Sequence, residues 1–70
     1  MSTYWKGTAP TRCATCDTPL VTVFADMRIV RGPWGCLCPT CVARFGMGYG
    51  VGLGQEYTRQ PDGRWLKTKG

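Results

Sequence analysis

The chain has 70 residues, too few to bury enough apolar surface for comfortable stability on a core alone. Nine Lys and Arg stand against four Asp and Glu, a formal charge of +5, and histidine is missing altogether. No stretch approaches the roughly 20 apolar residues that span a bilayer, which excludes a helical membrane anchor. Chains of this size usually add disulfides, a metal or a partner, and five cysteines point to one of the first two. The start, Met1-Ser2-Thr3-Tyr4-Trp5-Lys6-Gly7, lacks the apolar core of an export signal, so a cytoplasmic location is expected. In that reducing compartment spaced cysteines are more often metal ligands than disulfides, and an odd count leaves one thiol over.

Residues 1–12 read as a leader whose only large side chains are Tyr4 and Trp5, either anchored back onto a small core or frayed. Residues 13–70 read as one domain. Cys13-Ala14-Thr15-Cys16 is a tight turn bearing two thiols. Leu20 to Ala25 is β-rich, Asp26-Met27-Arg28 suits a turn, and Ile29-Val30-Arg31 reads as a returning strand. Gly32-Pro33-Trp34-Gly35 is a turn carrying a bulky ring, and both Trp34 and Trp65 are expected in the core. Cys38-Pro39-Thr40-Cys41 opens a short helix with Pro39 at its first position and Gly46 as its C-cap. Glycine then recurs at alternate positions from Gly46 to Gly54. That tract reads as a loop, or as room for Trp34 and Trp65; as a strand it would show one bare face and one with Met47, Tyr49, Val51 and Leu53. A hairpin closes the chain: 55–59 and 64–68 are strands, and Gln60-Pro61-Asp62-Gly63 is the turn.

Two C-x-x-C pairs separated by 21 residues are the strongest chemical signal. Structural zinc takes four thiolates about 2.3 Å away in a tetrahedron, so Cys13, Cys16, Cys38 and Cys41 are the expected ligands of one zinc ion. Cys36 is the spare thiol, although it can replace Cys38 in a wider pair. A redox dithiol, a disulfide staple and an iron–sulfur cluster are the competing readings. Four filled positions leave none for a reacting water. Four thiolates on a divalent ion contribute about −2, bringing the folded charge nearer +3. Without histidine, and with Asp17, Asp26, Glu56 and Asp62 scattered, no general base is in sight. The chain reads as no enzyme, with no small-molecule substrate.

A thiol pair, a β-hairpin and a second pair opening a short helix resembles the treble-clef zinc finger, including the GATA-type fingers. The pieces that carry this are Cys13 to Cys16, residues 20–31, and Cys38 to Gly46. The zinc ribbon is the close alternative, but it wants glycine where Val42 stands. The resemblance implies a small zinc-stabilised β-rich domain, treble-clef-like, with β-hairpins and one short helix. The chain also looks like small zinc-binding proteins encoded by bacteriophages. Here the pieces are residues 24–28, Gly32 to Gly35, the second thiol pair, Phe45-Gly46, Gly52-Leu53-Gly54-Gln55 and Gly63-Arg64-Trp65. That likeness implies zinc binding and life in the cytoplasm of an infected host cell.

Cations gather late, at Arg59, Arg64, Lys67 and Lys69, with Tyr57 and Trp65 among them and Arg28, Arg31 and Arg44 as extensions. Rings that stack on bases beside cations that meet phosphates suit single-stranded nucleic acid. The expectation is a non-enzymatic interaction module binding nucleic acid through Arg44, Tyr57, Arg59, Arg64, Lys67 and Lys69. The alternative is binding to a host protein such as a transcription or defence component.

Overall fold

The structure, a computed structural model, describes residues 2–30 and 32–70. Strand β1 (Val23–Arg28) runs straight through the Asp26-Met27-Arg28 segment expected to turn. Phe24, Ala25 and Met27 are all inaccessible, so β1 is covered on both faces, and burying Met27 outweighs the weak strand preference of Asp26. The turn comes later, around Gly32 and Pro33, neither of which suits a ladder. Arg31, expected on a returning strand, lies outside the described residues. Strand β2 (Trp34–Leu37) starts with the ring expected in the turn, placing Trp34 opposite Arg28. Helix α1 (Pro39–Phe45) begins at Pro39 as its sequence requires. Strands β3 (Gly54–Arg59) and β4 (Trp65–Lys69) form the expected hairpin.

The four strands make one antiparallel sheet in the order β2-β1-β3-β4. On one face, Pro39 and Val42 of α1 stand across a cavity of about 80 Å³ from Val23 and Ala25. On the other, Phe24 stacks on Tyr57 (centroids 5.4 Å apart) and meets Trp65 edge-on at 4.9 Å. Trp5 closes this layer, edge-on to Phe24 and Tyr57 at 5.3 and 5.2 Å. The leader is anchored rather than frayed in this region. Trp5 donates its backbone N–H to the Trp65 carbonyl (2.9 Å), and Thr3 accepts from Lys67 (2.7 Å), which covers part of the β4 edge.

The glycine tract is a loop, with Gly48, Gly50 and Gly52 in the positive-φ region and therefore unable to form a regular strand. Its two ends serve Met27 rather than a tryptophan. A Cβ on Gly46 would collide with the Met27 sulfur, and one on Gly54 would stand 2.9 Å from Met27 Cγ. Gly46 follows α1 with φ −74°, outside the left-handed region, so close approach explains the glycine and a left-handed cap does not. Among the described residues, no helix is long and apolar enough to cross a membrane.

Candidate metal centre

The first thiol pair sits on a turn closed by its own backbone. Cys13 donates its N–H to the Thr18 carbonyl (2.8 Å), and Asp17 donates to the Cys13 carbonyl (3.0 Å). Asp17 takes φ 63°, a left-handed conformation that aspartate tolerates better than most residues. A bond from Ala14 N–H to the Cys36 carbonyl (2.9 Å) fastens the turn to β2, beside the second pair. Cys38 is the N-cap of α1, and Cys41 lies in the first turn, where Val42 N–H donates to the Cys38 carbonyl (2.9 Å). A turn, a strand end and a helix start thus bring four sulfurs together.

The Sγ atoms of Cys13, Cys16, Cys38 and Cys41 all lie within 4.8 Å of one another, and those of Cys16 and Cys38 are 3.6 Å apart. Tetrahedral zinc thiolates stand about 3.8 Å apart, so small movements of the side chains would let this cluster hold one metal ion. Cys13, Cys38 and Cys41 are buried and Cys16 forms the outer wall. Two hydroxyls reinforce the site: Thr15 Oγ1 lies 3.3 Å from Cys13 Sγ, and Thr18 Oγ1 3.0 Å from Cys16 Sγ. Burial alone would raise the Cys13 thiol. The Thr15 hydroxyl and the backbone N–H groups of Cys38, Cys16 and Thr15 overcome it and bring the thiol down to about 5. Thr18, by hydroxyl and backbone, lowers Cys16 in the same way. The Thr15 hydroxyl also lowers Cys41, but burial and the neighbouring thiols Cys16, Cys13 and Cys38 push it up to about 12. Sulfurs this close share protons until a cation replaces them. The threonines were missed from sequence, although each lies two residues after a ligand cysteine.

Cys36 stands outside the cluster, paired across the ladder with Asp26. Burial and the Asp26 carboxylate push its thiol up to about 11, so it stays neutral. Comparison with models of protein families, with curated proteins and with solved structures finds no match.

The six residues expected to bind a nucleic acid or partner do not form one platform. Tyr57 is 9% exposed and Trp65 7%, both committed to the aromatic layer. Arg64 pairs with Asp62 (Nε to Oδ2 2.8 Å) and covers the Tyr4 ring at 4.2 Å. Lys69 stands 3.9 Å from Glu56 and 5.1 Å from the Tyr49 centroid. Arg59 lies over Trp65 at 5.8 Å. Lys67 faces Tyr57 across a bulge in the β3–β4 ladder. Arg44 ends α1, away from this hairpin, and lines a cavity with Ile29, Val30 and Phe45.

Proposed function

We propose that the chain is a zinc-stabilised, treble-clef-like module without catalytic activity that works by binding a protein partner. The order of its parts supports the treble-clef reading: a thiol-bearing turn, the β1–β2 hairpin, then a helix with the second pair at its start. An all-thiolate set favours zinc over magnesium or calcium and leaves no open position for substrate. A reducing cytoplasm, the host's if the chain is phage-encoded, keeps such thiols available. The observation that carries the choice of partner is where large apolar side chains meet solvent. Val30, Trp34, Phe45, Met47 and Val51 are exposed, whereas the rings read as base-stacking lie in the core. Nucleic-acid binding keeps a second place, because Arg59 and Lys67 have no carboxylate within ion-pair distance among the described residues.

Metal analysis of the purified chain should find one zinc per chain. Crosslinking in the native host, with nuclease added, should retain a protein. Single- and double-stranded oligonucleotides titrated at about 50 mM salt should not bind. Binding that falls steeply with salt and weakens in Arg59→Ala/Lys67→Ala would reverse the order of the two readings.

A further inference from the structure

Beyond the sheet, residues 28–30 and 45–47 run side by side as a short antiparallel ladder. Val30 N–H donates to the Phe45 carbonyl (2.9 Å), Met47 N–H to the Arg28 carbonyl (3.0 Å), and Ile29 pairs with Gly46. Gly46 abuts Met27, so the Ile29–Gly46 pair faces inward. Alternation along the two strands then turns Arg28, Val30, Phe45 and Met47 to the opposite side. Trp34, the register partner of Arg28, shares that side. Val30 is 59% exposed, Trp34 46%, Met47 45% and Phe45 41%. Ile29, Val30, Arg44 and Phe45 line a cavity of about 390 Å³ beside this face, room for an inserted side chain.

The charges around the face are mostly positive. From Met27 to Gln55 the sequence holds three arginines and no acidic residue. Asp26, the nearest acid, lies two residues before Arg28 on the same side of β1, half-buried beside Cys36. The other acids have cations of their own within the chain: Asp17 with Arg12 (3.9 Å), Glu56 with Lys69 and Asp62 with Arg64. Among the described residues, a second copy therefore offers Arg28 and Arg44 no unpaired acid except the half-buried Asp26. The complement of this face is apolar at its centre and acidic around it.

Resting on the protein-partner reading, we propose that the Val30–Phe45 face docks an acidic segment of a partner protein. One aromatic or branched aliphatic side chain of that segment enters the cavity, and its carboxylates meet Arg28 and Arg44. The anchor supplies residence time and the arginines steer the encounter.

The probe is a displayed library of random peptides of about 12 residues, panned on the zinc-loaded full chain; enriched sequences are then synthesised and titrated. The expected consensus is an apolar anchor flanked by Asp or Glu. Val30→Asp and Phe45→Asp should each weaken binding about 30-fold, the scale of a hot-spot side chain. Arg44→Glu should weaken acidic peptides and accept the same peptides with Lys in place of Glu. Each variant is first shown to keep its zinc and its amide spectrum; if Phe45→Asp does not, Val30→Asp and Met47→Asp carry the test. No enrichment, a consensus without acids, or affinity indifferent to these variants overturns the proposal. So does binding to oligonucleotides or phosphatidylglycerol vesicles, or self-association of the wild-type chain, that these variants abolish. A crosslinked host partner whose binding ignores the variants overturns this surface and leaves the protein-partner reading standing. Oligonucleotide binding with no protein partner overturns both.

Discussion

The thiol cluster and the aromatic layer hold the same small chain by different physics. Around the cluster the buried residues are Cys13, Cys38, Cys41 and Leu20, and the four sulfurs are close enough to hold a metal ion. Around the hairpin, Phe24, Tyr57, Trp65 and Trp5 bury one another, and no ion is involved. With a metal ion bound, the first region would convert binding energy into folding energy, whereas the second converts apolar area. Neither has the size to be comfortably stable alone, so the domain needs both.

The largest break in this comparison is removal of the metal. Structural zinc binds such sites with about 10–16 kcal/mol of apparent free energy near neutral pH. Chelation should therefore unfold the whole chain, aromatic layer included. Cys13→Ser, Cys16→Ser, Cys38→Ser and Cys41→Ser should each abolish zinc binding and amide dispersion, while Cys36→Ser keeps both. A metal-free chain with native-like dispersed amides would sink the claim that the two regions depend on each other. Damage from Cys36→Ser equal to that of the four would mean that the ligand set is wrong.

A second comparison sets two tryptophans against each other. Trp65→Ala removes a buried ring and should cost about 3–5 kcal/mol in urea denaturation of the zinc-loaded protein. Trp34→Ala removes a half-exposed ring and should cost less than about 1 kcal/mol. Equal losses would mean that the exposed face is part of the core.

The smallest effect belongs to Asp26, which lies between the two regions. Burial raises its carboxyl above the ordinary value of 3.8, and no cation pairs with it among the described residues. A raised carboxyl binds its proton more readily in the folded state, so stability is lost as pH climbs from 3.8 through the raised value. Asp26→Asn should therefore stabilise the zinc-loaded protein at pH 7, by an amount that shrinks as pH falls through the raised value toward 3.8. Denaturation curves at two pH values check this; a destabilised variant would reveal a hydrogen bond that only the carboxylate makes.

What the sequence determined by itself was local. The C-x-x-C spacing marked Cys13, Cys16, Cys38 and Cys41, Pro39 marked the helix start, and Gln60-Pro61-Asp62-Gly63 marked the last turn. Each rests on chemistry among residues a few positions apart, where propensity and ligand spacing suffice. The tertiary structure decided which side chains share a face. Phe24 meets Tyr57 only because β1 pairs with β3, some thirty residues on, and that pairing draws Tyr57 and Trp65 inward, away from any stacking surface. It also carries β1 through Asp26 to bury Met27, fits Gly46 and Gly54 against it, and leaves Trp34 at the surface. Burial depends on which strands become neighbours, and composition along the chain holds no record of that until the sheet has formed.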